Sequence, residues 1–90
     1  RCRFGALTAI VTAGSPGPPT VGFVAGKKIG SAVRRNRAKR RLRAAAARST
    51  LKPDTVYVLI ADRGVLTAKF EQLVDWINSA AATDVVEEVR

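Results

Sequence analysis

Apolar positions along the chain change their period from segment to segment, and each change marks an element. Residues 4–12 read as a strand: Phe4, Ala6, Thr8 and Ile10 alternate with Gly5, Leu7, Ala9 and Val11, and neither face is strongly polar. Gly14-Ser15-Pro16-Gly17-Pro18-Pro19 can only be a turn or loop. Residues 20–25 form a second strand with Val21, Phe23 and Ala25 on one face. So short a connection excludes a parallel crossover, and the spacing predicts that these two strands pair antiparallel. From Ser31 the period becomes helical. Ser31 is the expected N-cap of a helix running to about Arg48, with Ala38, Leu42 and Ala45 as a narrow apolar stripe. Pro53-Asp54 breaks the chain, and residues 56–61 (Val-Tyr-Val-Leu-Ile-Ala) form a continuous apolar run that fits an internal strand buried on both faces. Thr67 is the expected cap of a second helix carrying Phe70, Leu73, Val74 and Ile77 on one stripe. The Ala80-Ala81-Ala82 run and the acidic tail to Arg90 read as a fraying end. The order β-β-α-β-α predicts an α+β fold, a small mixed sheet packed by helices.

Ninety residues make a single domain with one modest core. One Cys and no His exclude a disulfide scaffold, most zinc sites and His-based acid–base chemistry. Cys2, between Arg1 and Arg3, reads as an incidental thiol. No apolar run is long enough to span a membrane. The absence of Met and the start at Arg1 read as a chain lacking an N-terminal segment. The formal charge is +9 and it is segregated: residues 1–53 carry 13 basic and no acidic side chains (+13), and residues 54–90 carry 3 basic and 7 acidic ones (−4). A surface built for solubility mixes signs; this pattern points to a polyanion.

The first helix concentrates that charge. Asn36, Lys39, Arg40 and Arg43 share its polar side, with Arg37 and Arg48 beside them. Arg35 falls near the apolar stripe, which requires either an irregular first turn or a side chain directed into a cleft beside the sheet. Like charges at i+3 and i+4 weaken a helix unless an anion relieves them. Gly26-Lys27-Lys28-Ile29-Gly30 is a Gly-bounded basic turn and not a P-loop, because position 21 is Val and Lys28 follows Lys27. No short helix precedes the basic one as in helix-turn-helix readers of duplex DNA, so single-stranded or structured RNA is the better partner. Phe23 and Tyr57 read chiefly as core aromatics, and Trp76 as packing at the edge of the second helix stripe. Asp54, Asp62, Glu71, Asp75 and Asp84 are the carboxylates available to a protein-borne metal nuclease, yet none forms a tight acidic motif. Asp54 is more simply a turn residue and Asp62 a strand end.

Gly30-Ser31-Ala32-Val33-Arg34-Arg35-Asn36-Arg37-Ala38-Lys39-Arg40-Arg41-Leu42-Arg43 resembles the signature of the bacterial ribonuclease P protein subunit, Gly-x-Ala-Val-x-Arg-Asn-Arg-x-Lys-Arg-x-x-Arg, at every named position. Val21-Gly22-Phe23, Lys27-Lys28 and Asp54 with its following strand are similar to the family as well. The resemblance implies a sheet packed by helices, with the family's N-terminal helix having no counterpart before Phe4. It implies a cytoplasmic ribonucleoprotein that removes the 5′ leader from precursor tRNA. The catalytic Mg²⁺ would be held mainly by the RNA subunit and none by the protein alone. Its implied partners are the catalytic RNA and precursor tRNA, with no membrane and no protein partner. Arg35, Asn36, Arg37, Lys39, Arg40 and Arg43 would contact the RNA, with Lys27 and Lys28 on the same surface. A leader cleft on the sheet would draw on Phe23, Phe4, Thr8 and Arg63. The alternatives are a non-catalytic RNA-binding or ribosome-associated module, and a protein-only nuclease.

Overall fold

A computed structural model describes residues 2–82. Four strands, β1 (Cys2–Phe4), β2 (Leu7–Ala13), β3 (Thr20–Ala25) and β4 (Thr55–Ala61), form one sheet, and two helices, α1 (Ala32–Ala47) and α2 (Phe70–Ala81), lie on it. The sheet order is β1-β2-β4-β3. The α+β class and the mixed sheet agree with the sequence.

The pairing differs from the expected one. β4 inserts between β2 and β3, antiparallel to β2 and parallel to β3. The β2 and β3 directions are opposed, as a short loop requires, but the two strands are not neighbours. The driving force is burial: β4 is the most apolar strand, and the centre of the sheet covers it on both edges. The helix α1 then serves as the crossover that a parallel β3–β4 pair needs.

The first predicted strand is two strands. The chain reverses at Gly5-Ala6, and β1 pairs antiparallel with β2, Phe4 opposite Leu7 and Cys2 opposite Ala9. Gly5 has φ +59, and a Cβ there would sit 2.1 Å from the Trp76 indole. Only glycine accepts both the left-handed backbone and the ring against it.

Alternation decides the faces. Leu7, Ala9 and Val11 of β2 and Tyr57, Leu59 and Ala61 of β4 are buried beneath the helices. They meet Ala38, Leu42 and Ala45 of α1 and Leu73, Ile77, Ala80 and Ala81 of α2 in one core. Each large side chain so buried contributes about 1.5–3 kcal/mol over its exposed state. Tyr57 keeps its hydroxyl satisfied by accepting from the Lys52 N–H at 3.0 Å. Trp76 packs at the margin of this core, as read from the sequence. The other face of β4, with Val56, Val58 and Ile60, is half-buried, so the strand is central but not covered equally on both sides.

Two further expectations change at α2. Thr67 ends a 3₁₀ turn (Arg63–Leu66), and the N-cap is Lys69, whose N–H donates to Gln72 Oε1 at 3.1 Å. Ala80 and Ala81 are buried core residues, because they continue the stripe of Leu73 and Ile77, and do not fray. The tail expected to fray beyond them, residues 83–90 with Asp84, lies outside the described residues.

Candidate nucleic-acid interface

The basic helix begins where the sequence placed it. Ser31 is the N-cap, its Oγ accepting from the Arg34 N–H at 3.3 Å. Before it, a 3₁₀ turn (Lys27–Ile29) is anchored by buried Ile29 and leaves Lys27 and Lys28 exposed. Asn36, Arg37, Arg40 and Arg43 are exposed along α1, and with Lys27 and Lys28 they form a continuous basic band. Among the described residues no carboxylate bridges to a cation of this band; the ion pair that exists among them is Arg3–Asp62.

Arg35 resolves in favour of the cleft. It is half-buried, and with Asn36, Lys39, Ala25 and Ala32 it lines a pocket of about 220 Å³ between the end of β3 and the first turns of α1. Its Nε is buried and meets no acceptor. An unmet buried donor costs about 1–3 kcal/mol. An anionic oxygen entering the pocket would meet the side chains of Arg35, Asn36 and Lys39 that line it.

Arg43 reaches back across the edge of the sheet, its guanidinium 5.4 Å from the centre of the Phe23 ring. Phe23 therefore lies on the helix-packed face. So does Phe4, on the opposite edge strand. Thr8 stands on the other, helix-free face, and Arg63 opens the 3₁₀ turn after β4. The structure does not bring Phe23, Phe4, Thr8 and Arg63 into one cleft.

The helix-free face has a concavity of its own, about 450 Å³, lined by Arg3, Thr8, Val24, Lys27, Lys28 and Ile60 among others. It has an apolar floor, and its rim carries Lys27, Lys28 and the Arg3–Asp62 ion pair. Arg3 was not singled out from the sequence. Had the Gly5 reversal been read as a hairpin, the register would have set Arg3 opposite Thr8, where it stands.

Two of the carboxylates, Asp54 and Asp62, accept from backbone N–H groups. Asp54 has φ +59 and its Oδ1 accepts from the Gly17 N–H at 2.6 Å, tying the proline-rich loop to the start of β4. Asp62 Oδ1 accepts from the Arg63 N–H at 2.7 Å, and its Oδ2 pairs with Arg3 Nη2 at 2.8 Å. The Arg3 hydrogen bond, helped by the Arg63 N–H, holds the Asp62 carboxyl below its ordinary value. Among the described residues no three His, Cys, Asp or Glu side chains gather as metal ligands. Cys2 is a half-buried free thiol on β1. No helix among the described residues is long and apolar enough to cross a membrane.

Comparison with known proteins gives one consistent answer. The profile of the Ribonuclease P family matches residues 1–83. A ribonuclease P protein component from Caulobacter vibrioides is 52% identical over 64 residues, which cover 67% of this chain and 42% of that protein. One from Brucella suis is 45% identical over 63 residues, covering 67% of this chain and 45% of that protein. In both matches the aligned part spans less than half the relative's length. Among solved structures, an RNase P protein from Thermotoga maritima superposes with a TM-score of 0.76 over 89% of this chain and 78% of its own, at 17% identity. The Staphylococcus aureus RNase P protein gives 0.63 over 81% of this chain and 69% of its own, at 18% identity. At such identity the likeness is one of fold.

Proposed function

Since this chain belongs to the Ribonuclease P family, we propose that it is the protein subunit of ribonuclease P, assisting a catalytic RNA in the endonucleolytic removal of the 5′ leader from precursor tRNA. The observation that carries this reading is the unneutralised basic band of Lys27, Lys28 and α1 beside the Arg35 pocket.

In this reading the band takes the RNA subunit. Exposed cations displace counterions from phosphates, which gives affinity without reading sequence. Arg35, Asn36 and Lys39 form a recessed polar group suited to a single phosphate oxygen. The leader runs along the helix-free sheet face, with its bases over Thr8, Val24 and Ile60 and its phosphates toward Lys27 and Lys28, away from the Arg3–Asp62 pair. Single strands bind grooves of this kind, with an apolar floor and a basic edge. Phe4 and Phe23 stabilise the sheet from the helix side instead.

In this reading the nucleophile and base are not asked of the polypeptide. Asp54 and Asp62 are engaged by Gly17, Arg3 and Arg63, and their separate placement does not suit a metal centre. In this reading Mg²⁺ is held mainly by the RNA, whose charge repulsion the protein lowers. The setting is cytoplasmic, with the catalytic RNA and precursor tRNA as partners.

The test is cleavage of 5′-labelled precursor tRNA by ribonuclease P RNA at low Mg²⁺, with and without the full-length protein. A single cut at the mature 5′ end that requires both components is expected. The double variant Arg35→Ala/Asn36→Ala should lower the rate at least tenfold at low Mg²⁺, recover at high Mg²⁺, and melt like the parent. Salt-sensitive RNA binding with no stimulation of cleavage would favour a general RNA-binding module; cutting without the RNA would favour a protein-only nuclease.

A further inference from the structure

Val33 is the most exposed large apolar side chain of the described residues, at 77%, against 44% for Val24 on the open sheet face. It lies in the first turn of α1, directly after Ala32. Nothing in the fold uses it: the buried stripe of the helix is Ala38, Leu42 and Ala45, on the opposite side. A single exposed valine is ordinary on a protein surface. Its neighbours are not ordinary. Asn36 and Arg37 follow at i+3 and i+4, Arg40 at i+7, and all three are exposed. Side chains at these spacings share one helix face and stand about 5–6 Å apart per turn. A phosphodiester chain that engages Asn36, Arg37 and Arg40 therefore covers Val33 as well.

We propose that Val33 is an apolar contact to the RNA subunit, packed against a ribose or an unstacked base at the N-terminal end of the basic arc. The claim rests on the RNA-binding reading above and adds to it a contact that is not electrostatic. A polyanion seated on arginines alone can slide along a uniform charged ridge. A branched apolar side chain at one end, excluded from water only when a sugar or base face sits over it, fixes the register of the strand on the helix. The chemistry follows from the surroundings: the flanking charges select a nucleic-acid backbone, and its apolar surfaces are riboses and base faces.

Charge and apolar contact respond differently to salt, which makes the proposal testable. Binding of the full-length protein to transcribed ribonuclease P RNA would be measured over a range of monovalent salt for the parent and for Val33→Ala, Val33→Thr and Arg37→Ala. Val33→Ala should weaken binding by about 15-fold, the worth of two methyl groups removed from a closed contact, at every salt concentration. The slope of log K against log salt should not change. Val33→Thr, which keeps the branch and replaces a methyl with a hydroxyl, should give an intermediate loss. Arg37→Ala should make the slope shallower by about 0.7–0.9. Folding does not confound the result, because alanine is the better helix former at an exposed site and the variant should melt at or above the parent's temperature.

If Val33→Ala binds like the parent while Arg37→Ala flattens the slope, Val33 faces solvent in the complex and the proposal fails while the RNA reading stands. A loss that comes with a shallower slope would also overturn it, since Val33 would then act through the neighbouring charges. If the parent itself binds this RNA without salt dependence, the basic band is not its seat and both readings fall.

Discussion

Arg41 illustrates why charge counting along a helix misleads. The sequence presents it as one more cation in the basic run. In the structure it is half-buried, with Nη1 donating to the Val65 carbonyl at 2.5 Å and Nη2 to the Ala68 carbonyl at 2.6 Å. It thus fastens α1 to the 3₁₀ turn ahead of α2 and satisfies two carbonyls that no regular element serves. The cue was present: position 41 lies three residues after Ala38 and four before Ala45, inside the apolar stripe. Hydrogen bonds from a charged group are stronger than neutral ones, and removing the donor strands both acceptors. Arg41→Ala should lower unfolding free energy by about 2 kcal/mol in urea titration. It should leave the salt slope of RNA binding unchanged, whereas Arg40→Ala should do the reverse. A flattened slope for Arg41→Ala would return this guanidinium to the RNA face. The same geometry made Arg35 legible as a cleft residue, since its angle from the stripe allowed few other places. The same geometry sets Val33 opposite the stripe, where it is exposed.

At the scale of elements, both helices, β3 and β4 follow from periodicity, capping and apolar runs. The errors lie at short-range reversals and in pairing. Residues 4–12 alternate smoothly through Gly5, so nothing in the hydrophobic pattern separates β1 from β2. The reversal depends on Trp76, more than seventy residues away, lying against Gly5. Strand order is equally non-local: β4 reaches the centre of the sheet because its inward residues Tyr57, Leu59 and Ala61 are all buried. Thr67 does not cap α2 because its hydroxyl serves the preceding turn, 3.5 Å from the Gly64 carbonyl. Gly5 carries a direct prediction. Gly5→Ala forces a Cβ into the indole and strains a backbone at φ +59. A left-handed alanine costs about 1–2 kcal/mol and overpacking typically 1–3 more, so a loss of about 2–5 kcal/mol is expected. The Trp76 fluorescence should shift as the ring moves. An unchanged melting curve and spectrum would mean that the β1–β2 reversal does not rest on this contact.

For the whole molecule the controlling quantity is its uneven charge. Residues 1–53 carry +13, and Arg3–Asp62 is the one ion pair among the described residues. The folded protein therefore holds like charges of α1 together with little to offset them, at a cost of a few tenths of a kcal/mol per close pair. Added salt screens that repulsion, since the Debye length falls from about 10 Å at 0.1 M to about 3 Å at 1 M. The same screening removes the gain from counterion release on RNA binding. Raising monovalent salt should thus act in opposite directions: the free protein should gain about 1 kcal/mol, a rise of roughly 4–8 °C in melting temperature for a domain of this size. RNA affinity should meanwhile fall by orders of magnitude between about 50 and 200 mM if six or more phosphates are engaged. Calorimetry of the free protein and filter binding with the RNA, over one salt series, measure both signs. A melting temperature that falls with salt would mean that attractive pairs outweigh the repulsion in α1. The strain in the free helix would then not be what the RNA relieves, and the affinity would have to come from the shape of the pocket around Arg35.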